Sequence, residues 1–276
     1  MTAEYTLPAE KVTAVAALLA ERVRQYDTAR DPRAAFAYTY YRLTTSLATG
    51  LGTGEPAFGD PLWVAELCET LAAAYFDAMD GIDAWQAGRP AGATGEVRAE
   101  DMPDSIPLPW RDVVAAASVR RSYLLEDVLF SMMAHMSYDL PHALRQMTPA
   151  TGNRGRIADF HRMNEVLASC IDTVQDDLAA RYIVGLESWD RLFTRNDELL
   201  SNYGIRVTRG LAWFNCDRLL DPGAAEEAAA SIGRSTGALI SEIRAPADWR
   251  LRTGLWVLRR LVPDRRRWPE PSAPVA

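Results

Sequence analysis

The residues best equipped for chemistry lie between Phe130 and Leu144, in the run Phe-Ser-Met-Met-Ala-His-Met-Ser-Tyr-Asp-Leu-Pro-His-Ala-Leu. Two of the chain's three histidines, His135 and His142, stand here with Asp139 between them. On a helix of 3.6 residues per turn these three side chains fall within roughly 60° of one face. Ser131 extends the stripe one turn upstream, and Asp127 one turn further. The remaining positions are mostly Leu, Val, Phe and Met, so the segment should be buried, and polar groups buried with it need partners. An imidazole one turn from a carboxylate can act as a general acid or base, the carboxylate orienting the ring and raising its basicity. A purely structural hydrogen-bonded pair is the competing reading.

The third histidine, His161, precedes Glu165 by four residues, so these two also share a helix face. The five residues His135, Asp139, His142, His161 and Glu165 read H-x3-D-x2-H and then H-x3-E, a spacing from which adjacent helical turns can grip one cation. This layout resembles that of the zinc-dependent phospholipase C and related nuclease fold, which is also all-helical. The likeness implies zinc activating water or polarising a substrate oxygen. It spans only the segment from His135 to Glu165, and that family's N-terminal tryptophan ligand and further histidines have no counterpart here. The residues leave zinc, another divalent metal and no metal all open.

Helices must position these groups. Asp31-Pro32, Asp60-Pro61 and Asp221-Pro222 each set a good N-cap before the residue best tolerated at the first helical position. Leu7-Pro8 opens a first helix with Val12, Val15, Leu18, Leu19 and Val23 at helical spacing. An aromatic second helix runs from Pro32 to Ala48, and a third from Pro61 to Met79, stopped by Gly81. Residues 86–109 are rich in Gly and Pro and read as a long loop of the kind that forms lids or binding loops. The central helix should start near Pro109 and kink or end near Asp139, because Pro141 removes a backbone donor. Further helices are expected over 157–185, 188–203, 207–220, 222–243 and 247–261. No period-two strand and no internal repeat is visible, so the fold class is all-α: a single bundle of about nine helices. One domain over 1–262 would be followed by a basic, Pro-rich tail over 263–276.

Composition narrows the function. A net charge of −7 argues against general nucleic-acid binding, although eight arginines lie between Arg244 and Arg267. Three widely spaced cysteines, Cys68, Cys170 and Cys216, suggest buried reduced thiols rather than a disulfide framework. With no signal-peptide pattern and no apolar run of membrane-spanning length, a cytoplasmic protein is expected. Isoprenoid-cyclase, di-iron, P-loop, dinucleotide and G-x-S-x-G signatures are absent or incomplete.

Over most of residues 30–170 the chain resembles a family of bacterial helical proteins of unknown function. Its members read approximately R-Y-x-x-I-T, F-x-D-P-x-W-V, N-A-H-I-N-x-D-L and D-F-x-x-V-N. The matching segments here are 41–45 (Tyr-Arg-Leu-Thr-Thr), 58–64 (Phe-Gly-Asp-Pro-Leu-Trp-Val), 133–140 (Met-Ala-His-Met-Ser-Tyr-Asp-Leu) and 159–164 (Asp-Phe-His-Arg-Met-Asn). The resemblance implies His135, Asp139, Asp159 and Asn164 as a shared set, and it lends nothing to His142, His161 or Glu165. Where the family has two asparagines flanking the histidine, this chain has Met133 and Ser137, which implies a more apolar pocket.

Together these readings lead us to expect an enzyme acting on a small, hydrophobic organic molecule, of cyclase or isomerase type. His135 and Asp139 would lie at its centre, with Asp159 and Asn164 beside them. Tyr38, Tyr41, Arg42, Trp110, Ser131 and Tyr138 are the candidate substrate-binding residues, around a pocket between the central helix and the helix starting near Ile157. The alternatives are a zinc-type hydrolase and a non-catalytic binding or scaffold protein. Substrate and oligomeric state are open.

Overall fold

One of the three Asp-Pro pairs caps a helix as its chemistry requires. In the computed structural model, which describes residues 3–90, 96–119, 124–148, 154–182 and 202–261, Asp60 Oδ1 accepts the Trp63 N–H at 2.9 Å at the start of its helix. Asp31 Oδ1 accepts the Arg33 N–H at 2.9 Å, but Pro32 rather than Asp31 stands at the cap position of that helix, so the expected cap is corrected there. The third pair lies further from its helix. Asp221 Oδ1 takes the Gly223 N–H in a turn, and the helix begins only at Ala225.

The helices are α1 (Ala3–Ala29), α2 (Arg33–Thr53), α3 (Pro61–Ala87), α4 (Leu108–Ala117), α5 (Leu124–Ala134), α6 (Leu140–Gln146), α7 (Ile157–Tyr182), α8 (Asn202–Leu219), α9 (Ala225–Arg244) and α10 (Trp249–Leu261). Short 3-10 turns cover Ala99–Asp101 and Arg154–Arg156. There is no strand among the described residues, so the all-α expectation holds. No helix among them is long and apolar enough to cross a membrane. The helix expected over 188–203 falls almost wholly, and the tail over 263–276 entirely, outside the described residues.

The chain divides into two compact units. One comprises residues 1–72, 146–210 and 269–276; the other comprises 73–145 and 211–268, so the division falls inside α3 and α8. In the first unit α2 packs on α1 and on α7, around the fully buried Leu19, Leu51, Leu67 and Phe160. Burying side chains of this size stabilises by about 1.5–3 kcal/mol each. Thr39, Thr45, Ser46, Thr49 and Thr53 return their hydroxyls to carbonyls one turn back on α2, which reconciles so many hydroxyl residues with a helix. Gly54 closes α2 in a left-handed conformation, φ 74°, its N–H bonded to Gly50 O. At its far end α7 is tied to α1 by Arg181 and Tyr182, which bond the two oxygens of Asp27 at 2.6 and 3.0 Å.

In the second unit α9 packs on α4, on α5 and on the turn between α5 and α6. The core holds Tyr75, Met79, Ile82, Ile106, Trp110, Leu140 and Leu144. Gly237 lets α9 approach α4 so closely that any side chain there would collide with the Asp112 carboxylate. Among the arginines of α10, Arg259 pairs with the buried Glu126 of α5, at 2.7 and 3.2 Å.

Three expectations about element boundaries are corrected. Gly81 does not stop α3, which continues to Ala87: Ile82 beyond it is fully buried, and the glycine faces Ile106 at close range. The loop over 86–109 therefore shortens, and its described part is anchored by the buried Val97, Met102 and Ile106. The central helix is also not one element from Pro109, because α4 ends at Ala117 and α5 begins at Leu124. Finally, Pro141 neither ends nor breaks the helix. Residues His135–Asp139 widen into a π turn in which the Leu140 N–H reaches His135 O, five residues back. A proline ring collides with the carbonyl four residues before it, here that of Ser137. The wider turn absorbs the misfit, and α6 runs on to Gln146.

Cys68 and Cys216 are buried free thiols, as expected, whereas Cys170 is only half-buried; burial pushes the Cys68 thiol up to about 12.

Candidate functional site

The π turn carries the His–Asp pair, and both residues are 3% exposed. His135 Nδ1 lies 3.2 Å from Asp139 Oδ2. With Nδ1 directed at a carboxylate, the ring is assigned as donor there, leaving Nε2 as the nitrogen that could exchange a proton with a reactant. Asp139 holds a second donor. Trp110 Nε1–H, from the first turn of α4, bonds both of its oxygens, at 3.1 and 3.0 Å. Pro107 just before α4 and Pro109 within its first turn preset that helix start. From α3, Tyr75 stands edge-on to the His135 ring, centroids 6.0 Å apart, and 5.7 Å from the Trp110 ring. Burial pushes the Asp139 carboxyl above the ordinary carboxylate range, while the bonds from His135 and Trp110 pull it down. An oriented imidazole, an anchored carboxylate and two aromatic walls can together hold and move one proton.

Other residues of the expected site in this unit surround the pair less directly. Ser131 is buried one turn before His135. Tyr138 turns toward Gly233 and packs on the cluster of Leu219, Ala228 and Ile232. Its ring lies 4.7 Å from that of His142. Burial pushes the His142 imidazole below its ordinary value, and its Nε2 has no hydrogen-bond partner among the described residues.

The rest of the expected set belongs to the other unit. Asp159, in the first turn of α7, accepts the backbone N–H groups of Gly59 and Asp60 at 2.7 and 2.8 Å, with Arg162 at 3.3 Å. Its carboxylate is thereby committed to holding the segment before α3 against α7. Arg42 bonds the Tyr38 hydroxyl at 3.2 Å and pairs with Asp177. Tyr41 lies beside Tyr38, ring centroids 6.3 Å apart. Asn164 is 2% exposed, and its Oδ1 has no partner among the described residues. His161 and Glu165 are exposed. Glu165 borders an open groove of about 460 Å³ together with Ser46, Thr49, Thr53 and Ser169. Four of those hydroxyls, from Ser46, Thr49, Thr53 and Ser169, already bond to helix carbonyls.

Among the described residues no three His, Cys, Asp or Glu side chains are grouped to hold a metal ion. The five candidate ligands are divided, His135, Asp139 and His142 in one unit and His161 and Glu165 in the other.

Two residues at these sites were not singled out from the sequence. Tyr75 continues the buried stripe Val64, Leu67, Leu71, Tyr75, Met79 and Ile82 of α3, where it reads as ordinary core. Arg209 carries a clearer signal, because it interrupts the buried series Ile205, Arg209, Ala212, Cys216 and Leu219 on α8. A charge at a core position of a helical repeat calls for an explanation.

Residues 12–246 match the model of a family described as a family of unknown function (DUF5995), and the chain belongs to that family. No curated protein and no solved structure matches it.

Proposed function

Starting from membership of a family without an assigned activity, we propose that the protein is an enzyme acting on a small, hydrophobic organic molecule by metal-free acid–base chemistry. His135 is the acid or base at Nε2, Asp139 orients the ring through Nδ1, and Trp110 holds the carboxylate. The observation that carries this reading is the π turn at His135–Asp139, occupied by a His–Asp pair whose carboxylate is fixed by a third residue from another helix. Inserted turns of this kind occur frequently at functional sites. A carboxylate-oriented imidazole is the arrangement that makes histidine an effective proton carrier near neutral pH. Tyr75 and Trp110, whose rings stand against the pair, favour an apolar substrate. Ring closure and isomerisation are reactions that one such proton carrier can drive.

A second reading has its own support. His135, Asp139 and Trp110 are all nearly inaccessible, as expected of a polar clasp joining α4 to the π turn in a non-catalytic binding or scaffold protein. Carbethoxylation by diethyl pyrocarbonate, read by peptide mass spectrometry, separates the two. A catalytic His135 must be reachable, so it should be modified in the folded chain within the time that exposed His161 reacts. If His161 reacts fully while His135 stays unmodified until the protein unfolds, the enzyme reading fails and the clasp stands.

A further inference from the structure

Arg209 is 2% exposed. Its Nη2 donates to Phe160 O at 3.3 Å and touches Met163 Sδ at 3.5 Å. The guanidinium carbon lies 4.2 Å from the centre of the Phe160 ring, and Nε has no hydrogen-bond partner among the described residues. None of these contacts is a carboxylate. Every other arginine buried to this degree in a protein of this kind should have an acid against it, as Arg181 has Asp27 at 2.6 Å. A backbone carbonyl, a thioether and an aromatic face offset only part of the cost of burying a full positive charge.

A second orphan lies next to it along α7. Asn164 follows Met163 and stands one turn beyond Phe160, the two residues that Arg209 touches. It is equally buried, and its Oδ1 has no partner among the described residues. Among the described residues, the same short stretch of α7 and α8 thus holds a buried cation without an anion and a buried amide oxygen without a donor. Buried polar groups are otherwise almost always satisfied.

We propose that Arg209 is the anchor of a buried oxyanion site, binding the carboxylate or phosphate of a small ligand through its guanidinium fork. The planar fork suits both groups, because each presents two oxygens to two parallel N–H donors. Burial pulls the Arg209 guanidinium down to about 9, which leaves it charged near neutral pH and ready to receive an anion. The Phe160 ring against the guanidinium fixes the fork's plane. This site stands independently of the acid–base reading of His135.

The test is a thermal-unfolding titration of the full chain with inorganic phosphate and, separately, with acetate, at constant ionic strength balanced with chloride. Wild type should show a saturable rise in unfolding temperature with one of the two anions, and the more effective one identifies the ligand's charged group. Arg209→Met should lose that response, and in buffer free of both anions it should unfold no lower than wild type, since a buried uncompensated charge has been replaced by an apolar chain. A wild-type unfolding temperature that ignores both anions would overturn the proposal even if the variant fails to fold. So would a full anion response retained in Arg209→Met, or a large loss of stability in that variant without anions.

Discussion

Trp110 Nε1–H is shared between the two carboxylate oxygens of Asp139, at 3.1 and 3.0 Å, across 29 residues of chain. The bond fixes the carboxylate in the plane from which it meets His135, so the orientation of the imidazole depends on a helix that the pair does not belong to. Trp110→Phe keeps the ring and deletes the donor. It should lower stability by about 1–3 kcal/mol, the cost of leaving a buried acceptor partly unsatisfied, read by equilibrium urea unfolding. A change within error would mean that His135 alone satisfies the carboxylate.

Asp139 should also leave a mark on the pH dependence of stability. Its folded carboxyl is held above the ordinary range by burial. A group raised in this way contributes stability that is fully present below the unfolded value of about 3.9 and is lost as pH rises through the folded value. Asp139→Asn removes this dependence and can still accept from Trp110. The variant should therefore gain on wild type as pH rises from about 4 toward neutrality. A stability gap that is flat, or that moves the other way, would show that the bonds from His135 and Trp110 outweigh burial.

His142 acts with the opposite sign, because burial lowers its imidazole. Its contribution is present above the unfolded value of about 6.5 and is lost as pH falls through the folded value. His142→Phe, which preserves a ring beside Tyr138, should lose less stability than wild type between about pH 7 and pH 5 in thermal unfolding. Parallel curves for the two proteins would place His142 in contact with water.

Asp159 is the position where a structural and a catalytic role differ most in their consequences. Asp159→Asn keeps one acceptor but turns an N–H₂ group toward an amide that donates. Stability should fall by about 1–3 kcal/mol, while His135 in the folded protein is carbethoxylated at the wild-type rate. Unchanged stability would free Asp159 for a role beyond joining Gly59 and Asp60 to α7.

What could be read in the residues alone was local. The helical period of α1 is legible, as is the cap at Asp60, because each depends on backbone geometry within four residues. The His135–Asp139 pairing was visible for the same reason. Pro141 and Gly81 are legible as disturbances of a helix, but their outcome is not. Whether a proline ends a helix or widens it into a π turn depends on what the following turn buries, here Leu140 and Leu144. Gly81 likewise remains helical because Ile106 packs against it.

The amino-acid sequence by itself determined an all-helical chain and one buried polar turn, since both follow from periodicity and from contacts three to five residues apart. Only the tertiary structure decided which partners those polar groups have. Trp110 reaches Asp139 across 29 residues, Asp159 is drawn to amides 99 and 100 residues away, and Arg209 is set on Phe160 and Met163 with no acid beside it among the described residues. Spacing along a helix specifies a face. The group that meets that face is set by packing, where apolar burial outweighs the preference of any single polar side chain.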